Sequence, residues 1–136
     1  MATYTKFNAF VEHVAEGVHN LQTGALTVAL TSVAPVATNS VLADLTQVAY
    51  TNLSSRVLTV ASSSQTSGTY SLVVNDLTLT ASGGSSSAFR YVVIYNDTPT
   101  SPADPLIAFY DYGSSVTLAD GETFLIDFGA SLFTLA

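Results

Sequence analysis

From Leu26 onward, apolar residues occupy every second position in a series of short segments. A period of two predicts β-strands, because successive side chains of a strand point to opposite faces of the sheet. Turn-forming pairs such as Ser67-Gly68 and Asp120-Gly121 separate the segments. The second pair lies between two apolar runs, as expected for a hairpin. The pattern therefore predicts a mainly β fold, an antiparallel β-sandwich or jelly-roll-like domain.

The alternation also gives approximate bounds for the strands. They are expected at Leu26–Thr31, Thr46–Asn52, Val57–Val60, Tyr70–Val74, Leu77–Ala81, Phe89–Asn96, Leu106–Tyr112, Val116–Leu118, Thr123–Phe128 and Leu132–Leu135. A further turn is expected at Tyr112-Gly113. Neither face of Phe89–Asn96 is polar, so this strand is predicted to be covered on both sides.

The segment before Leu26 has a different period. Its apolar residues follow the spacing of one helical face and are Phe7, Phe10, Val11, Val14, Ala15 and Val18. We expect a helix over about residues 5–19, with Thr5 as its cap and Gly17 or Asn20 at its end. A single domain over residues 1–136 would then combine this helix with a β-sandwich over about 26–136. Because so short a helix is marginal alone, Phe7 and Phe10 should dock on the sheet of their own domain or of a neighbouring copy.

Composition excludes several classes of function. The chain has 136 residues and a formal net charge of −7, with three Lys or Arg residues in total. Phosphate recognition depends on basic clusters, so neither nucleic acid nor an anionic membrane is expected as a partner. Cysteine is absent, which excludes disulfides, thiolate metal sites and a cysteine nucleophile. The polar start of the chain is unlike a secretory signal, and the apolar runs are too short to span a bilayer, so a soluble protein is expected.

No catalytic, metal or cofactor site is predicted. His13 and His19 are six residues apart, a spacing that does not align them on one helical face, and we expect ordinary, partly exposed helix residues. The chain lacks G-x-S-x-G and the glycine patterns that hold phosphate. Acidic residues crowd the C-terminal half at Asp97, Asp104, Asp111, Asp120, Glu122 and Asp127. Their spacing is not that of a calcium loop, so they are interpreted as loop caps and solvated carboxylates. Asp111 and Asp127 should face solvent or a partner.

Six residues are candidates for an interface: Phe7, Phe10, Arg90, Tyr91, Tyr110 and Tyr112. Arg90 is expected to pair either with a neighbour's carboxylate or within its own domain. Tyr110 and Tyr112 would supply an aromatic surface, which suits a protein interface or the stacking of a sugar. For the sugar alternative, the aromatic platforms would be drawn from Tyr70, Tyr91, Tyr110 and Tyr112.

Seven segments distributed over essentially the whole chain form a recognisable pattern: Tyr4–Glu12, Gly17–Leu21, Leu26–Pro35, Val41–Asp44, Phe89–Asp97, Tyr110–Gly113 and Asp120–Phe124. Together they resemble a family of small virion proteins of tailed bacteriophages. The resemblance implies a non-enzymatic structural component located in the virion. The role we favour is a capsid decoration, or cement, protein that binds the major capsid protein and forms a homo-oligomer, a trimer or dimer. The alternative is a tail or head-fibre protein, including a carbohydrate-binding adhesion module.

Overall fold

The computed structural model describes residues 3–136 and is mainly β, as predicted. Its elements in chain order are β1 (Thr3–Lys6), α1 (Asn8–Ala15), β2 (Leu26–Thr31), a 3₁₀ turn (Leu42–Asp44), β3 (Val60–Thr66), β4 (Thr69–Val74), β5 (Leu77–Thr80), β6 (Phe89–Asn96), β7 (Leu106–Val116), β8 (Thr123–Ile126) and β9 (Phe133–Leu135). All strand pairs among these elements are antiparallel. The antiparallel, mainly β fold class with a helix near the N-terminus is therefore confirmed.

The largest sheet has the strand order β1-β7-β6-β2, and its central part is buried on both faces, whereas β1 and the C-terminal half of β7 are largely exposed. One face contributes to the main core, and the other packs against a second cluster that includes Phe7 together with Leu42 and Leu45 from the 3₁₀ turn region. A bulge in β7 opposite the end of β6 puts both Ile107 and Ala108 on the main-core face. The prediction that Phe89–Asn96 is covered on both sides is confirmed.

Two smaller sheets, with the orders β3-β4-β9 and β5-β8, supply further residues of the main core. The hairpin between β3 and β4 turns at Ser67-Gly68, where φ is +52° and +84°. Two consecutive positive φ angles are those of a type I′ turn, whose twist matches that of the flanking strands. The turn predicted at this pair is therefore present.

The predicted N-terminal helix is too long at both ends. Residues 3–6 form an edge strand instead, because their backbone groups pair with the free side of β7, where Tyr4 lies opposite Tyr110. The cap position belongs to Phe7 and not to Thr5, and no side chain caps the helix. At the other end Gly17, with φ +76°, donates its N–H to Val14 O, while Val18 N–H bonds to His13 O. This Schellman arrangement stops the helix and reverses the chain.

The serine-rich part of the chain also departs from the predicted strand bounds. Thr46–Asn52 forms only an isolated bridge from Gln47 to Thr31, and Val57 forms another to Thr27. The long strand in this region, β3, begins at Val60 and runs through the serines that follow. In this region a strand forms where another segment offers backbone groups to pair with. The alternation of side chains alone does not set its bounds.

Of the two turns predicted in the C-terminal part, the one at Tyr112-Gly113 is absent and the one at Asp120-Gly121 is present. Gly113, with φ +95°, lies in a bulge of β7, in which residues 112–115 lie opposite Arg90 alone. Val116 thus continues β7 and does not begin a separate strand. Asp120-Gly121 does form a turn, but β8 pairs with β5 and not with β7, so no hairpin forms at this pair.

Candidate functional site

Three of the predicted interface residues lie within one short stretch of sheet. Tyr110 and Tyr112 belong to β7, and Arg90 is on the neighbouring strand β6. Tyr4 of the edge strand β1 packs against Tyr110 with ring centroids 5.3 Å apart, while Tyr112 packs against Phe124 at 5.1 Å. Tyr4 and Tyr112 remain 39% and 45% exposed. We call Tyr4, Tyr110 and Tyr112 the tyrosine surface.

Arg90 makes its ion pair inside the domain. Its Nε lies 2.8 Å from Asp111 Oδ1, and its Nη2 lies 3.2 Å from Oδ2. Arg90 and the backbone N–H of Gly113 hold the pKa of Asp111 below its usual value. Of the two pairings expected for Arg90, the structure shows the one within its own domain. Asp111 is turned toward Arg90.

The other three interface candidates are buried. Phe7 is 0% and Phe10 2% exposed, and Tyr91 lies in the second cluster. Of the two docking modes expected for the phenylalanines, the structure shows packing within their own domain. The predicted contact of these three side chains with a partner is therefore corrected, because their own domain covers each of them almost completely.

A groove lies between the C-terminal end of α1, the loop that follows it, and the three strands of the sheet β3-β4-β9. It has a volume of about 610 Å³, and we call it the His19 groove. Its polar lining includes His19, Asn20, Gln22 and Ser63, and its aromatic lining consists of Tyr70 and Phe133. The two aromatic rings are 5.7 Å apart, and Tyr70 Oη lies 2.8 Å from Ser63 Oγ. A smaller apolar cavity of about 290 Å³ adjoins it and shares Val14, Phe133 and Leu135.

His13 and His19 form a pair that their spacing in the sequence did not predict. Because Gly17 reverses the chain after α1, the His19 ring returns to within 6.1 Å of the His13 ring. His13 is buried, so the expectation of partial exposure is wrong for this residue. His19 is partly exposed, as expected, but it lies beyond the helix, which ends at Ala15. Among the described residues, His13 Nδ1 and His19 Nε2 have no hydrogen-bond partner.

The neighbours of His19 define its proton position and keep it neutral. Asn96, which is 1% exposed, accepts the Thr98 N–H at Oδ1. Its Nδ2 therefore donates to His19 Nδ1 at 3.1 Å, which assigns the ring proton to Nε2. Burial, and then the charge of a protonated His13, lower the pKa of His19 to about 4. The groove is consequently lined by an uncharged imidazole at neutral pH.

The lowered pKa of His19 predicts a loss of stability in acid. An unfolded histidine titrates near pH 6.5, so between about 6.5 and about 4 the unfolded chain binds more protons than the folded chain. The free energy of unfolding should fall across this range by about 1–2 kcal/mol from His19 alone, allowing for its partial exposure to solvent. Urea unfolding of the wild type and of His19→Gln at several pH values measures this contribution. Equal pH dependence in the two proteins would contradict it.

Several acidic residues cap loops, as predicted. Asp120 accepts the N–H of Gly83, and Asp127 accepts that of Gly129. Within residues 3–136, no group of three or more His, Asp or Glu side chains could hold a metal ion. The described part of the chain also contains no helix that is long and apolar enough to cross a membrane.

The sequence singled out Tyr110 and Tyr112 of the tyrosine surface and missed Tyr4, and it singled out less of the groove. Tyr70 was the one predicted sugar platform that lines the groove, whereas Ser63, Phe133 and the amides of Asn20 and Gln22 were missed. The signal that could have placed His19 is Gly17, a helix-ending residue that sends the following segment back toward the helix. Comparison with known proteins found no matching family model, no matching curated protein and no matching solved structure.

Proposed function

We propose that this chain is a structural protein of a tailed-phage particle that decorates the outside of the capsid and binds the major capsid protein. The resemblance of the sequence to small virion proteins suggests this role, and the tyrosine surface is the observation that carries it. Tyrosine is enriched in protein interfaces, where its ring provides contact area and its hydroxyl remains able to hydrogen-bond. Tyr4 and Tyr112 offer such rings on an exposed part of the sheet.

The sheet edge beside these rings supports the same proposal. β1 is the end strand of its sheet, so the side of Thr3–Lys6 that faces away from β7 offers backbone groups to another strand. The neighbouring Arg90 is already paired with Asp111. Contact would therefore rest on aromatic rings and backbone hydrogen bonds more than on ion pairs. Such a contact tolerates the acidic charge of the chain and depends little on salt.

Many weak contacts suffice for such a protein. A capsid presents the same site many times, and a homo-oligomer, a trimer or dimer, would bind several sites at once, so that its total affinity exceeds that of one contact. In this proposal the protein acts by binding and not by catalysis. It stabilises the shell by joining neighbouring capsid subunits.

The tyrosine surface can be tested with particles that lack this protein. We expect Tyr112→Asp to weaken binding of the purified protein to them at least about tenfold, because a buried interface ring would be replaced by a charge. Val57→Asp is the matched control: Val57 is 57% exposed and lies beside β2, at the opposite edge of the sheet from β1. The control should bind like the wild type, and thermal unfolding of each variant checks the fold. Equal weakening by both changes would contradict the proposed surface.

A cryo-EM map of the intact particle tests the location. Density for this fold on the outer shell, with the tyrosine surface against capsid subunits, is the expected result. Density on the tail or on a fibre, and none on the shell, would overturn decoration in favour of the alternative role.

A further inference from the structure

We infer that the His19 groove is a binding site for a neutral saccharide, distinct from the tyrosine surface. The two sites have no residue in common. A volume of about 610 Å³ falls within the range of roughly 300–1,000 Å³ typical of small-molecule sites. A short oligosaccharide therefore fits the groove.

The groove offers an aromatic surface for the apolar face of a sugar ring. Tyr70 of β4 and Phe133 of β9 are half-buried, with their ring planes inclined at 46°. A pyranose exposes C–H groups on its faces and hydroxyls around its rim, so it can lie on such rings while its hydroxyls point outward. The buried area of such a contact supplies apolar stabilisation, and the rings fix the orientation of the sugar.

Polar groups at the rim fit the hydroxyls. Asn20 Oδ1 accepts the backbone N–H groups of Gln22 and Thr23, and this fixes the amide so that its NH₂ is left to donate. The exposed amide of Gln22 can both donate and accept. Ser63 and Tyr70 share one hydrogen bond at 2.8 Å, which leaves hydroxyl capacity on both. Such mixed donors and acceptors match sugar hydroxyls, which also do both.

The absence of charge from the lining selects a neutral ligand. Of the residues that line the groove, all within the described part of the chain, none is Asp, Glu, Lys or Arg. His19 is neutral at pH 7 for the reasons given above. Within the groove a carboxylate, sulfate or phosphate on the ligand would find no cation to offset its loss of water, because Lys6 lines only the adjoining smaller cavity. Neutral hexoses and N-acetylhexosamines are therefore favoured over acidic sugars.

The test uses the whole chain and a defined set of sugars. Maltose, cellobiose, lactose, N,N′-diacetylchitobiose and longer oligosaccharides of each are titrated into the ¹⁵N-labelled protein, with 3′-sialyllactose as the charged comparison. At least one neutral sugar should shift the amide signals of residues 19–22 and 133–135 and saturate with Kd of about 1 mM or tighter. Absence of saturable binding by every neutral sugar, or preference for the sialylated one, would overturn the inference.

Variants then locate the bound sugar. Tyr70→Ala should weaken binding about tenfold, and Gln22→Ala about three- to tenfold, whereas Tyr112→Ala should change nothing. Gln22 is exposed, so its variant tests the site even if loss of the Tyr70 ring impairs folding. Retention of wild-type affinity by the Gln22 and Tyr70 variants would overturn the inference. So would sedimentation evidence that the groove is filled by a second copy, with the dimer lost in Tyr70→Ala.

This test is independent of the proposed attachment to the capsid. Tyr112→Asp is expected to weaken particle binding and leave sugar binding unchanged. Gln22→Ala is expected to weaken sugar binding and leave particle binding unchanged. Failure of one proposal therefore leaves a clear result for the other.

Discussion

Replacing Phe7 with alanine is expected to lower the free energy of unfolding by about 3–5 kcal/mol. The ring is 0% exposed and packs in the second cluster, with its centroid 5.1 Å from that of Phe109. Phe7 also joins β1 to α1, and its N–H bonds to Ile107 O. Removing the ring would leave a cavity in the second cluster, between the largest sheet and the residues that cover it. It would also loosen β1 and α1, which meet at Phe7.

Urea unfolding of Phe7→Ala beside Val33→Ala measures this effect. Val33 is 59% exposed, so its change should stay within about 0.5 kcal/mol of the wild type. Phe7→Leu retains most of the apolar volume and should lie between the two. A cost below about 1 kcal/mol for Phe7→Ala would show that the second cluster is not packed around this ring.

The sequence predicted the fold class because burial and alternation agree over most strands. In β2 the leucines and valine at every second position do reach the main core, while Ala29 reaches the second cluster. The N-terminus was mispredicted for a physical reason. The apolar spacing of a helical face fits residues 7–18, but it does not show that the residues before Phe7 will find a free strand edge on β7. That edge exists only once the sheet has formed.

The two candidate sites differ in how far apart their residues lie in the sequence. Tyr110, Tyr112 and Arg90 lie on the adjacent strands β7 and β6, and each could be singled out from its own strand segment. The His19 groove combines the loop after α1 with β3, β4 and the C-terminal strand β9, which are far apart in the sequence. Alternation gives no information on which distant segments meet. The residues of the His19 groove could therefore not be grouped before the fold was known.

Gly24 permits the close packing of Asn20 and Asn96 behind the His19 groove. A Cβ at this position would lie 2.7 Å from Asn20 O and 2.8 and 2.9 Å from the amide atoms of Asn96. Asn96 is almost fully buried and is held by its hydrogen bonds to Thr98 and His19, so it cannot move aside cheaply. Gly24→Ala is therefore expected to lower the free energy of unfolding by about 1–3 kcal/mol.

The same change should also alter the titration of His19. Burial is the main cause of the low pKa of His19, and Asn96 covers one side of the ring. Displacing Asn96 would admit water and remove a donor to the neutral form, so the pKa of His19 should rise from about 4 toward its ordinary value. NMR titration of the imidazole signals measures this shift. Gly121→Ala is the control: Gly121 has φ +86° and open space around it, so its change should cost about 1–2 kcal/mol from backbone strain and leave His19 unaffected. An unchanged pKa in Gly24→Ala would mean that Asn96 does not control the imidazole, and that the His19 groove is held in shape by other contacts.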